Sequence, residues 1–168
     1  MDIDNRTEPI DANTEADALF NSAFGAALLN RACAAYEARA SEMMPLTYAY
    51  LVLPSSLHLP TRQALPTTTA AAMATWIREN PLVLSDLAVR VRAFRDITSA
   101  AIGFGMRHAM IGGSEGSLHA LPLPRRPRAL RPTQDWQSCM DAAQFFGRWL
   151  GATENDEPTT LAQWGLRP

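Results

Sequence analysis

Residues 67–123 read TTTAAAMATWIRENPLVLSDLAVRVRAFRDITSAAIGFGMRHAMIGGSEGSLHALPL, three helical patterns that run into a glycine-rich turn. Thr67, Thr68 or Thr69 can cap a first helix through Met73, Trp76 and Ile77 that stops at Asn80-Pro81. Ser85 is read as the cap of a second, in which Leu84, Leu87, Val91 and Phe94 form an apolar stripe with Arg90, Arg92 and Arg95 off it. A third begins after Asp96. It carries Ile97, Ala101, Phe104, His108 and Ile111 on one side and Ile102, Met106 and Met110 on another, and Gly112-Gly113 end it. Residues 117–123 are then a short strand returning antiparallel to 109–111, with Gly-Gly-Ser-Glu-Gly as the turn. Three helices followed by a hairpin are the layout of a winged helix, a fold that mostly grips nucleic acid or another protein.

Working outward, residues 1–14 are polar and acidic and read as a flexible tail. Thr14 can cap a long helix on which Phe20, Phe24 and Leu28 recur at four-residue steps, ending near Met43 before Pro45. Gly25 inside it implies that another backbone packs closely there, since glycine costs roughly 1 kcal/mol relative to alanine in a helix interior. Residues 46–53, LTYAYLVL, are read as a buried strand ending at Pro54. Beyond the hairpin lies an extended Arg/Pro linker. Helix resumes at Asp135 with Trp136, Met140, Ala143 and Gly147 at helical steps, and a threonine-capped turn leads to the C-terminal Trp164. The expected fold is mostly α with a small β component. It comprises the tail, a winged-helix-like core with N-terminal helix and strand over 15–124, the linker over 125–134, and a C-terminal helical element over 135–168 that packs on the core.

At 168 residues and 47% hydrophobic content the chain suits one domain with a sizeable core. The net charge of −2 hides a segregation: residues 62–131 hold ten arginines against four acids, a balance of +6, and the remainder five against thirteen, a balance of −8. An acidic partner is implied for the middle of the chain. There is no lysine, which excludes a Walker A loop and Schiff-base chemistry. Cys33 and Cys139 stand alone on helical patterns and read as buried free thiols. The acidic N-terminus is unlike a signal peptide, and the longest apolar run, 23–29, is far too short to cross a membrane, so a cytoplasmic protein is expected.

No catalytic signature is visible. His58, His108 and His119 are isolated, without further ligands at metal spacing, and no Gly-x-Ser-x-Gly elbow occurs. The glycine loop follows a helix instead of opening one, so it is no phosphate cradle, and Gly103-x-Gly105 reads as a close-packing site. No catalytic residue, metal or cofactor is expected. The arginines offer nucleic-acid backbone contacts at Arg90, Arg92, Arg95 and Arg107 and along the linker at Arg125, Arg126, Arg128 and Arg131. Against base reading stands the third helix, which is nearly apolar all round, hence expected to be buried on most sides, and offers few polar groups to base edges.

The chain resembles the middle component of three-component ABC ATPase systems, from about Asn21 onward. The resemblance lies in Asn21-Ser-Ala-Phe-Gly-Ala-Ala-Leu-Leu, Tyr50-Leu-Val-Leu-Pro with Leu57-His58, and Ala74-Thr-Trp-Ile-Arg-Glu-Asn-Pro-Leu. Ile102-Gly-Phe-Gly with the hairpin, Ala143-Gln-Phe-Phe-Gly-Arg-Trp and Gly165-Leu-Arg-Pro complete it. Where the family often has Asn-Pro, this chain has Asn21-Ser22. The resemblance implies a non-enzymatic adaptor between an SMC- or RecN-like ABC ATPase and a third component, in defence against foreign DNA, with no small-molecule substrate. Trp164, Leu166 and Arg167 are residue types suited to a partner contact. Two other readings stay open: a winged-helix regulator that holds DNA backbone through its arginines, and an enzyme.

Overall fold

The computed structural model describes residues 12–124 and 132–166, with side chains from residue 21 onward. Residues 1–11 of the acidic tail and the linker arginines Arg125, Arg126, Arg128 and Arg131 lie outside the described residues, as does Arg167. The architecture is mostly helical with a small three-stranded antiparallel sheet. Its spine is α1 (Ala12–Ala40), which packs most extensively against α8 (Gln134–Gly151) and then α7 (Arg95–Arg107).

Both crossings are tight enough to select residues. A Cβ on Gly25 would lie 2.8 Å from the Ala101 Cβ of α7, so α7 does approach closely at Gly25, with a small side chain rather than the backbone expected there as the nearest group. On α8, a Cβ on Gly147 would lie 2.2 Å from the Ala32 carbonyl oxygen of α1. Thr133 caps α8, one residue earlier than expected, its side-chain oxygen accepting from the Trp136 amide at 3.1 Å.

The expected strand over residues 46–53 is helix. Only β1 (Met44–Pro45) is extended, and α2 (Leu46–Leu57) follows it directly. A continuous apolar run fits a buried strand or a buried helix equally well, and periodicity cannot separate the two. The surroundings decide here. Leu51, Val52 and Leu53 are all 0% exposed, which on a helix means apolar walls in three directions, a condition met at the centre of a helical bundle. Pro54, read as a strand end, sits inside α2 and leaves the Tyr50 carbonyl without its helical donor.

The helices of the central stretch are also redrawn. The first is shorter, α4 (Met73–Glu79), begun by Ala72 rather than by Thr67, Thr68 or Thr69. It ends at Asn80-Pro81 as expected. A single turn, α5 (Pro81–Leu84), precedes α6 (Leu87–Ala93). Ser85 is not the cap: its hydroxyl donates to the Leu82 carbonyl at 3.0 Å, and Asp86 begins α6. A short α3 (Leu59–Ala64) links α2 to this region. Its Arg62 is held by the Ser56 carbonyl at 3.0 Å, the Ser138 hydroxyl at 3.1 Å and an ion pair with Asp135.

The hairpin is β2 (Ile111–Ser114) and β3 (Ser117–Ala120), with strand order β1-β3-β2. Its register, Ile111 to Ala120 and Ser114 to Ser117, leaves Glu115-Gly116 as a two-residue turn. Gly112 and Gly113 thus belong to the strand, not to the loop as expected. Positive φ at both Glu115 (50°) and Gly116 (78°) gives the turn whose twist matches the flanking strands. The hairpin is fastened to α1 by Asn30, whose amide donates to the Met110 and Leu121 carbonyls at 2.7 and 2.8 Å, and by Glu37, which accepts from the Ala120 amide at 2.7 Å.

At the other end α9 (Glu157–Gln163) is capped by Asp156, not by threonine; its carboxylate accepts from the Thr159 amide at 3.0 Å. Trp164, immediately after, joins Trp76, Phe146 and Trp149 with ring centroids 5.8, 5.9 and 6.4 Å away. Cys33 and Cys139 are buried free thiols. Burial, helped by the nearby Glu37 carboxylate, pushes Cys33 up to about 12, and burial also raises Cys139. The native protein is therefore expected to resist a thiol-labelling reagent at mildly alkaline pH, and the denatured chain to take up label at both cysteines. Rapid labelling of the native state would contradict the packing around α1 and α8. Among the described residues, no helix is long and apolar enough to cross a membrane.

Candidate partner-binding face

The arginines singled out from the sequence differ in what they are free to do. Arg90 is half-buried and engaged, paired with Asp86 at 2.9 Å and donating to the Val83 carbonyl at 3.4 Å, so it holds α6 to α5 instead of presenting a cation. Arg92, Arg95 and Arg107 are exposed and pair with no carboxylate among the described residues.

The partner residues proposed at the C-terminus also separate. Trp164 is 2% exposed and its indole N–H lies 3.2 Å from the Met73 sulfur, so it is a core residue and not an exposed anchor. The reason is local. Gly165, with φ of 72°, lets the chain turn back, the Gly165 amide bonding to the Ala162 carbonyl and the Leu166 amide to the Leu161 carbonyl, both at 3.0 Å. That is a Schellman ending, which brings the second residue past the helix against the third from its end. Leu166 is thereby held beside Leu161.

Leu166 and Arg92, one from each group of candidates, meet at the same cavity of about 530 Å³. Its apolar walls are Ala88 and Val91 from α6 and Leu161 and Leu166 from the end of α9. Thr47 and Tyr50 of α2 line it as well, with Arg92 as the one cation among the described residues of the lining. Both α2 groups are already bonded: the Thr47 hydroxyl donates to Glu157, and the Tyr50 hydroxyl lies 3.0 Å from the Ser99 hydroxyl, which itself donates to the Arg95 carbonyl at 2.9 Å. The Arg95 carbonyl is thus linked to the Tyr50 hydroxyl through Ser99. Leu87, 1% exposed, anchors α6 and turns Val91 inward with Arg92 beside it at the mouth.

Sequence reasoning missed Thr47 and Tyr50 because it placed them on a strand. The signal available for the site was the pattern Ala88-Val89-Arg90-Val91-Arg92, in which apolar and cationic residues alternate on so short a helix that it cannot bury them all.

The third helix of the central stretch, α7, is not covered on most sides. Thr98, Ala101, Ile102 and Gly105 face the core, while Ile97 is 42% and Met106 44% exposed. Its outer face carries Asp96, Ala100 and Arg107, with half-exposed Gly103 and Phe104. On α5 Leu82 is 87% exposed, and on α6 Val89 is 65% exposed. The outer surface of α5, α6 and α7 thus combines unpartnered apolar side chains with arginines.

The histidines stay apart. His58 Nδ1 lies 2.8 Å from the Thr61 hydroxyl, His108 stacks on Phe104 with centroids 4.1 Å apart, and the His119 ring lies over Gly112. Burial, with Arg90 nearby, lowers the His58 pKa. Among the described residues no three His, Cys, Asp or Glu side chains gather as a metal site requires.

A family model described as ABC-three component (ABC-3C) system Middle Component 3 matches residues 11–168. No curated protein matches the chain, and no solved structure does.

Proposed function

Since the chain belongs to the Middle Component 3 family of ABC-three component systems, we propose that it is a non-enzymatic adaptor that joins an SMC- or RecN-like ABC ATPase to a third component. Its setting on this reading is the cytoplasm, in defence against foreign DNA. The observation that carries the reading is the exposure on α5, α6 and α7 of Leu82 (87%) and Val89 (65%) together with Arg92, Arg95 and Arg107, which pair with no carboxylate among the described residues. Exposed apolar side chains and arginines are what a protein interface takes up. The element order also supports a winged-helix core: α1, β1, further helices, α7, then the β2–β3 hairpin, with β3 central in the sheet.

The test is a pulldown of the tagged protein from cells that express its two neighbouring components, washed at high salt. Both components are expected to stay bound in near-equal amounts. Recovery of the chain alone would overturn the reading.

A second reading, contact with DNA backbone, is favoured by the exposure of Arg92, Arg95 and Arg107. It requires binding to duplex that weakens steeply with salt and falls alike for all sequences when these three are changed to Ala.

A further inference from the structure

We propose that the cavity between α2, α6 and the end of α9 receives an acidic segment of a partner protein, an apolar side chain entering it while a neighbouring carboxylate bonds Arg92. The inference rests on the adaptor reading and names the chemistry of one contact. Three features of the cavity choose this occupant.

The first is size. At about 530 Å³ the cavity is in the range of sites that enclose a small group, enough for an apolar side chain or two and far too little for a folded surface. The second is wall chemistry. Ala88, Val91, Leu161 and Leu166 are aliphatic and Tyr50 is the single aromatic residue of the described lining, whereas a groove for single-stranded nucleic acid stacks successive bases on several aromatic platforms. The third is charge. Thr47 and Tyr50 are already bonded within the protein, so among the described side chains of the lining Arg92 is the polar group left to meet a ligand, and it meets no carboxylate among the described residues. A guanidinium with open donors beside an apolar hollow matches a carboxylate next to an apolar side chain.

Arg95 makes an internal acidic segment a better match than a single chain terminus. It follows Arg92 by three residues, its carbonyl is linked to the cavity-lining Tyr50 through the Ser99 hydroxyl, its side chain is exposed, and a second carboxylate along the segment has a cation to meet. The pocket supplies the anchor and the arginines the register, the usual division between a desolvated hot spot and its polar rim.

The test uses the full chain and overlapping short peptides tiled across the two neighbouring components, read by fluorescence anisotropy. Arg92→Gln is the primary variant because its side chain is exposed, and Ala88→Phe, checked for folding by its melting curve, fills the cavity. The expected result is a binding peptide that carries Asp or Glu close to Leu, Ile or Phe. Arg92→Gln should weaken it roughly tenfold or more, the scale of a lost charge-assisted hydrogen bond. Amidating the peptide carboxylate should weaken it equally, the two changes together adding little.

If the three components assemble but no peptide binds, or if binding ignores both variants, the pocket proposal is overturned and the adaptor reading stands. If Arg92→Gln weakens duplex DNA binding and no peptide's, the cation belongs to nucleic acid and the proposal fails. If the components do not assemble at all, the adaptor reading fails, and the pulldown shows this before any peptide is added.

Discussion

Gly147→Ala should destabilise the protein by about 2 kcal/mol or more, lowering the thermal midpoint by roughly 6 °C, although alanine is the better helix former by about 1 kcal/mol. The added methyl would stand 2.2 Å from the Ala32 carbonyl oxygen and 2.9 Å from its carbon. These are backbone atoms of α1 and cannot rotate away, so the whole α1–α8 crossing must open. Gly151, one turn on, has the same relation to the Tyr36 carbonyl oxygen, at 2.9 Å, so α8 cannot relieve the clash by tilting toward its end. Gly103→Ala is the control with the opposite sign. There a Cβ would meet only the Arg107 guanidinium at 3.3 Å, the mobile end of an exposed side chain. A gain of about 0.5–1 kcal/mol is expected from helix propensity alone. Melting curves of the two variants followed by circular dichroism settle the matter; a neutral or stabilising Gly147→Ala would mean that α1 and α8 are not in backbone contact.

Trp164→Ala is expected to cost about 3–5 kcal/mol, the range for removing a large aromatic from a packed core. Domains of this kind have about 5–15 kcal/mol in total, so the variant should be marginal at physiological temperature. Trp164 touches three aromatic rings at centroid distances of 5.8 to 6.4 Å and ties the end of α9 to α4 and α8. Trp164→Phe keeps a ring in the same place and should lose much less. The measurement separates two roles for the residue. A core tryptophan lowers the melting point of the isolated chain, whereas a partner anchor would leave the melting point unchanged and weaken only assembly. A wild-type melting curve for Trp164→Ala would return Trp164 to the interface.

The two substitutions also mark how far the sequence could be read. Gly25 announced a close helix crossing because glycine inside a helix is costly unless a neighbour needs the space, and α7 is that neighbour. Asn80-Pro81 ended a helix as expected, because proline sterics act on the residue before it whatever lies around them. The lone cysteines on helical patterns became buried thiols. Each of these readings depends on one residue and its bonded neighbours.

Residues 46–53 were illegible for the opposite reason. A run that is apolar at every position satisfies either backbone, and the choice falls to whichever gives all its side chains a wall. Trp164 posed the same problem at the C-terminus: a tryptophan beside Gly-Leu-Arg suits an interface and a core alike, and the Schellman turn at Gly165 together with a gap among Trp76, Phe146 and Trp149 decided for the core. The candidate site was legible only in part. Arg92 and Leu166 were singled out for different purposes, and their meeting depends on α6 and α9 flanking α2, which no local pattern encodes.

By itself, then, the sequence determined a mostly helical chain with a glycine-turn hairpin, a segregated arginine-rich middle, buried thiols and the absence of lysine chemistry, all set by composition and by the sterics of single residues. The tertiary structure alone decided that α2 is a central helix, that α7 leaves Ile97 and Met106 exposed among polar side chains, and that Arg92 stands at the mouth of a cavity floored by α2. Burial is a property of what packs on a segment, and packing partners are chosen by the whole chain at once.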